Sequence, residues 1–186
     1  MFRLIVDDQC DLRLLQPYHA DALFRLTDEN RAYLRTWLPW LDGIRSAGDT
    51  RNFIQGTLRQ FADNNGFQTG IWYGDRLAGV IGFHKIDWAN RATSVGYWLG
   101  EAYQGHGLIT RSTRALTTYA LRDLKLNRID LRCATGNQRS CAVARHLGFQ
   151  HEGVVRQAEW LYDHFVDHHL YSMLAQDWPP AHPPST

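Results

Sequence analysis

The amino-acid sequence predicts an α/β (α+β) fold, a mixed and mostly antiparallel central sheet with helices on both faces. Helical periodicity fills two early segments, residues 18–37 and 50–63. Two strand-like runs follow, FQTGIWY (67–73) and RLAGVIGFHKI (76–86), joined by Gly74-Asp75 as a two-residue hairpin. From residue 92 the runs alternate as β-α-β-α-β. A helical pair, an antiparallel meander and this alternation make a mixed sheet covered on both faces. A length of 186 residues suits one domain with a substantial core, here residues 1–178.

The elements follow in order. DLRLLQP (11–17) reads as a strand stopped by Pro17. Over 18–37, Leu23, Leu26 and Leu34 mark the helical face, with a break near residues 28–30. WLPWLD (37–42) is an aromatic loop broken by proline. In the next helix Phe53, Ile54, Leu58 and Phe61 recur at helical spacing, and Asn64-Asn65-Gly66 ends it with residues that tolerate a left-handed backbone. ATSVGYWLG (92–100) is a third strand of the meander, and the helix after it runs to about residue 124. NRIDLRCA (127–134) alternates as a strand, and residues 139–147 form a short helix closed by Gly148. FQHEGVVRQAEWLYDHFVDHHLYSML (149–174) reads as two or three strands, and the proline-rich WPPAHPPST (178–186) as a disordered tail beyond the domain, residues 179–186.

Composition excludes several classes. With 44% apolar and 21% charged residues and a net charge of +1, the chain is an ordinary globular one, and nothing points to nucleic acid or a membrane surface. No apolar run approaches the roughly 18 residues of a membrane span. The start, MFRLIVDDQC, lacks the apolar core of a signal peptide. Cys10, Cys133 and Cys141 are odd in number with no C-x-x-C spacing, so the expectation is buried reduced thiols in a cytoplasmic protein.

YQGHGLIT (103–110) carries the first chemical signal. Gly105 and Gly107 let the backbone curl and a ligand approach, and a helix follows at once. That places open N–H groups and a positive dipole end after a strand, a fit for a diphosphate. No acidic residue lies between Gln104 and Arg122, and Arg111 and Arg114 sit in the first turns. The triphosphate pattern G-x-x-x-x-G-K-[ST] and the dinucleotide pattern G-x-G-x-x-G are both absent.

QGHGLI fits a Q/R-x-x-G-x-G/A motif at Gln104 and Gly107, while Ile109 stands where Gly or Ala is usual. GNQRSCAVARHLGFQHEG (136–153) has the form N-x-x-S…LGF…G. On these residues the chain resembles the GNAT superfamily of acetyl-CoA-dependent N-acetyltransferases. LRTWLPWLD (34–42) and FVDHHLYSML (165–174) resemble its Rim-type ribosomal-protein branch, and the likeness runs from about residue 10 to about 178.

The resemblance implies a GNAT-like sheet whose central strands, 92–100 and 127–134, splay apart around the pantetheine arm of acetyl-CoA. A bulge near Tyr97, Trp98 and Leu99 would free backbone N–H groups for the pantetheine and the thioester carbonyl. The amides of Gln104, Gly105, His106, Gly107, Leu108, Ile109 and Thr110 would take the pyrophosphate, and Asn137 would bond the pantetheine while capping a helix.

Aminolysis of a thioester needs a neutral amine, a polarised carbonyl and a proton for the thiolate. By resemblance Ser140, one turn after Asn137, donates that proton or anchors the thiol, with Tyr119 and Tyr171 as alternatives. Glu159 leads as general base, ahead of Glu101, His84 and Asp87. The run DHFVDHH (163–169) spreads His164 and His168 about 13 Å apart along a strand, too far to share a metal ion. Among Trp37, Trp40, Trp72, Trp88 and Trp98, a core role is expected for the group, with Trp37 and Trp40 lining the acceptor pocket.

The resemblance thus implies acetyl transfer from acetyl-CoA to a primary amine, with a protein N-terminal amine as favoured acceptor. A small-molecule amine (polyamine, amino sugar or antibiotic) and a non-catalytic acyl-CoA-binding domain are the alternatives. A homo-oligomer is left open.

Overall fold

The structure is a computed structural model and describes residues 2–179; the tail expected to lack order lies outside these apart from Pro179. Its strands are β1 (Arg3–Asp7), β2 (Cys10–Leu14), β3 (Phe67–Tyr73), β4 (Arg76–Phe83), β5 (Ala92–Leu99), β6 (Arg128–Ala134), β7 (Gln150–Leu161) and β8 (His164–Leu174). The helices are α1 (Ala20–Glu29), α2 (Arg31–Arg35), α3 (Ala47–Ala62), α4 (Leu108–Thr118, continued by a π turn over Tyr119–Asp123) and α5 (Gln138–His146). The eight strands form one sheet in the order β1-β2-β3-β4-β5-β6-β8-β7. β1 was not expected, since its charged ends Arg3 and Asp7 mask a short alternation that only pairing with β2 reveals.

Local chemistry explains most boundaries. Asn30 separates α1 from α2, where its side-chain amide caps the Leu26 carbonyl at 2.8 Å. Ser46 starts α3 by accepting the Asp49 N–H. Past α3 the chain reverses through Asn64 and Gly66, both at positive φ, and Gly148 does the same after α5. α1 and α3 cover one face over Leu15, Leu23, Ile54, Trp72 and Val80. α4 and α5 cover the other, burying Leu108, Leu116 and Ala144.

The sheet is antiparallel except at one place. β5 and β6 are parallel and pair only from Ala92↔Arg128 to Val95↔Leu131. Beyond that, β5 stays with β4 as far as Leu99↔Gly79, and β6 stays with β8 as far as Ala134↔His168. The two strands therefore splay. The pairing of β5 with β4 is continuous, so the expected bulge at residues 97–99 does not occur, and divergence alone frees the backbone there.

Three further expectations change. Cys133 and Cys141 are joined by a disulfide (Cα–Cα 5.7 Å), because the turn from β6 into α5 sets them side by side; Cys10 alone is free and buried. Of the tryptophans read as core, Trp72 is buried, whereas Trp88 is exposed. Trp178, the first residue of the proline-rich stretch, is only 4% exposed and donates its indole N–H to Thr118 Oγ1 at 3.1 Å. Among the described residues no helix is long and apolar enough to cross a membrane.

Candidate active site

Where β5 and β6 part, a cleft of about 1350 Å³ opens through the sheet, from the glycine loop to the aromatic loop. Gly105 and Gly107 have φ of 80° and 67°, in the left-handed region that favours glycine. Gly107 caps α4 without a side-chain cap, so the first N–H groups of the helix lack intramolecular partners, and no acidic residue occupies the first turn. Gln104, Gly105, Gly107, Leu108, Ile109 and Thr110 all line the cleft. The His106 ring does not; it turns to Tyr73, 5.4 Å between centroids.

The cations of the loop are not those the sequence suggested. Arg111 pairs with Asp7 and donates to the His106 carbonyl at 3.0 Å, so it braces the loop from behind. Arg114 lies over the Trp178 ring. Arg139, at the start of α5, faces the cleft and donates to Gln104 Oε1.

Ladder alternation decides what β5 offers the gap. Ser94 and Gly100 bond to β4 through His84 N–H→Ser94 O at 3.0 Å and Gly100 N–H→Ala78 O at 2.8 Å. Alternate residues of an antiparallel ladder face the same neighbour, so Trp98 also turns its N–H to β4 while Tyr97 and Leu99 turn theirs to the gap. Trp98 meets the cleft with its side chain.

Across the gap, Asn137 caps α5 by accepting the Ser140 N–H at 3.1 Å, which fixes the first turn and aims Ser140 at the cleft. Ser140 Oγ lies 3.0 Å from the Tyr97 hydroxyl, and the same hydroxyl reaches the Ser140 carbonyl at 3.3 Å. Burial pushes the Tyr97 pKa up to about 12, so the phenol holds its proton at neutral pH. The alternative tyrosines are elsewhere. Tyr119 packs in the Phe2–Phe67 aromatic cluster, and buried Tyr171 stacks with His151. Tyr97 was expected only as a backbone donor; its hydroxyl is the contact that sequence reasoning missed.

Glu159 enters the cleft because β7 is irregular. Val155 faces His168 and Glu159 faces Val166, so four steps on β7 match two on β8. Gln157 takes φ 48° in this bulge and donates its N–H to Asp167 Oδ1 at 2.7 Å. The bulge re-aims the strand. Ala158 and Glu159 then line the cleft, with Glu159 Oε2 3.6 Å from His168 Nε2. The β7–β8 turn is tied to the aromatic loop, since the Tyr162 hydroxyl donates to the Leu38 carbonyl at 2.5 Å and accepts the Leu41 N–H. Trp37 and Trp40 of the aromatic loop also line the cleft. Of the other base candidates, His84 lines the cleft with Nδ1 3.0 Å from Ser94 Oγ, and desolvation lowers its pKa. Glu101 and Asp87 lie outside the lining, and Asp87 is held by Asn90. Among the described residues no group of three or more His, Cys, Asp or Glu side chains is placed to hold a metal ion.

Comparison with known proteins agrees with this geometry. Residues 10–150 match the acetyltransferase (GNAT) domain. The ribosomal-protein-serine acetyltransferase of Escherichia coli (strain K12) is 32% identical over 91% of this chain and 94% of its own. The structure of RimL, a ribosomal L7/L12 alpha-N-protein acetyltransferase holding coenzyme A in a disulfide with one of its cysteines, superposes with a TM-score of 0.90 at 32% identity, covering 93% of this chain and 98% of that one. The microcin C7 self-immunity acetyltransferase MccE, solved with acetyl-CoA and AMP, has a TM-score of 0.87 at 29% identity over 91% and 94% of the two chains. A splayed strand pair, a left-handed glycine loop at a helix start and this likeness along nearly the whole chain lead to one conclusion: the chain belongs to the GNAT family of acetyltransferases, which move an acetyl group from acetyl-CoA to an amine.

Proposed function

We propose that this chain acetylates the α-amine of a protein N-terminus, with a ribosomal protein as acceptor and hence a cytoplasmic place of work. The observation that carries the reading is the position of Glu159. It lines the cleft 3.6 Å from His168, on the strand whose following turn Tyr162 ties to the aromatic loop. An incoming amine is a cation at neutral pH, and a carboxylate there both attracts it and accepts its proton, directly or through water.

The residues fit acetyl-CoA. The open N–H groups after Gly107, the acid-free first turn and Arg139 suit a pyrophosphate. The Tyr97 and Leu99 N–H groups suit the amide of the arm and the thioester oxygen, where donors held in place stabilise growing charge. When bound, acetyl-CoA supplies the acyl group and a thiolate leaving group. Ser140 gives the thiolate its proton, and Tyr97, which stays protonated, holds the serine hydroxyl in line.

Thioester consumption with a panel of peptides and small amines tests the reading. Turnover with N-terminal peptides of ribosomal proteins, above that with polyamines or amino sugars, is the expected result. Preference for a polyamine, an amino sugar or an antibiotic would favour the second reading, a small-molecule acceptor, which the likeness to a microcin self-immunity acetyltransferase supports. Binding of acetyl-CoA without turnover of any amine would leave a non-catalytic binder.

A further inference from the structure

We propose that Cys133 and Cys141 are a redox pair that reduces disulfides of coenzyme A bound in the cleft and releases them as free thiols. The proposal rests on the acetyl-CoA reading of the cleft given above.

The placement of the two sulfurs carries it. Cys133 is two residues beyond Leu131, the last residue of β6 that pairs with β5, so it lies on the splayed part of the strand. It lines the cleft, as Tyr97 of β5 does, and is 4% exposed. On the acetyl-CoA reading, an acyl carrier held in this cleft would share its lining with Cys133. Cys141 is completely buried, in the first turns of α5 and next to Ser140. The disulfide shows that the two side chains reach each other with the backbone as it stands, at a Cα–Cα distance ordinary for such bonds. When Cys141 is reduced, its thiol has the Ala134 carbonyl as a partner at 3.6 Å, so the dithiol state is also accommodated.

A purely structural crosslink is a poorer account. The bond closes a loop of only eight residues between adjacent elements, and a short loop restrains the unfolded chain less than a long one. Disulfides in a reducing compartment are usually catalytic or redox-sensing. Cys141 lies two residues after Arg139 in α5, and no acidic residue occupies the first turn of that helix.

The chemistry balances in two exchanges. The Cys133 thiolate attacks one sulfur of a coenzyme A disulfide; that S–S bond breaks, and one coenzyme A thiolate leaves with the electron pair. The Cys141 thiolate then attacks the Cys133 sulfur of the mixed disulfide and expels the second coenzyme A thiolate. The protein dithiol loses two electrons, the bound disulfide gains two, and the two protons of the cysteines end on the two thiols released. Cys141 thereby clears an adduct that would otherwise plug the acetyl-CoA site. Cys10 takes no part, being buried on β2 beside Ser112.

The experiment treats the fully reduced chain with coenzyme A disulfide, then counts thiols and measures intact mass without reductant. Of the three cysteines, wild type is expected to keep one titratable thiol, Cys10, to retain no coenzyme A and to release two coenzyme A thiols per chain. Cys141→Ser should retain one coenzyme A through a reducible bond and lose acetyl-CoA binding until reduced. Cys133→Ser should do neither. The cleft's recognition of the ligand should make 2-hydroxyethyl disulfide at least about tenfold slower, an effect of roughly 1.4 kcal/mol on the barrier. Wild type that keeps a stable coenzyme A adduct, or three thiols, overturns the proposal, and so do equal rates with the two disulfides. Acetyl-CoA turnover by the reduced enzyme, measured beside these, reports separately on the acetyltransferase reading.

Discussion

Replacing Tyr97 with phenylalanine keeps the ring that packs against the core and removes only the hydroxyl that touches Ser140. That hydroxyl makes two contacts, 3.0 Å to Ser140 Oγ and 3.3 Å to the Ser140 carbonyl. A neutral hydrogen bond contributes about 0.5–1.5 kcal/mol net, so Tyr97→Phe should lower stability by about 1–2 kcal/mol. If the phenol orients Ser140, losing that one bond should lower kcat by roughly five- to tenfold, since about 1.4 kcal/mol is a factor of ten. Ser140→Ala, which removes the proposed proton donor itself, should cost about 10²–10⁴-fold. The KM for acetyl-CoA should hardly move in either variant, because the interaction is used in the transition state. The double variant should be no worse than Ser140→Ala, because a phenol with no serine to hold contributes nothing.

The pH dependence separates this from a tyrosine acid. With a pKa of about 12, the phenol is ionised to only about one part in a thousand at pH 9, so Tyr97→Phe should keep the shape of the wild-type profile. The raised pKa also has a stability consequence. The folded chain holds this proton more tightly than the unfolded one, whose tyrosine titrates near 10. Tyr97 therefore favours the fold fully below about pH 10, and that contribution is lost as the pH rises towards about 12. Steady-state kinetics across pH, with denaturant unfolding at pH 7 and 11, measures all of this. A Tyr97→Phe loss equal to that of Ser140→Ala, multiplying with it and removing the alkaline limb, would refute the positioning role and make Tyr97 the acid.

Other expectations concern the rest of the site and the core. Glu159→Gln should raise the acceptor KM or lower kcat and leave the acetyl-CoA KM alone, whereas Glu101→Gln, outside the cleft, should be silent; wild-type rates on the acidic limb in the Glu159 variant would remove it as base. Gly107→Val meets nothing closer than Arg111 Nε at 4.0 Å, so its penalty is the left-handed backbone, about 1–2 kcal/mol or more, and acetyl-CoA affinity by calorimetry should fall about tenfold or more. Trp178→Ala should cost about 3–5 kcal/mol in denaturant unfolding, although the residue opens a proline-rich stretch; a change below about 1 kcal/mol would mean that the indole contributes little to the core.

What the sequence determined by itself was local. The hairpin at Gly74-Asp75, the helix ended by Gly148 and the glycine loop before α4 each follow from a few adjacent residues. The motifs of that loop and of the Asn137–Ser140 cap made the family, and residues that line the cleft, legible for the same reason. Tertiary structure decided the contacts between distant segments. Tyr97 meets Ser140 across 43 residues because parallel pairing stops at Val95 and Leu131. Arg111 finds Asp7 across 104 residues, so it braces the loop, and Arg139 is left to face the cleft. Tyr162 reaches Leu38, which sets the β7–β8 turn against the aromatic loop. Cys133 and Cys141 are close in sequence, yet their bond depends on how a turn lays α5 against β6. No periodicity records such meetings, because a side chain's partner is set by where a strand bulges or a ladder ends, and those are decided by the packing of the whole sheet.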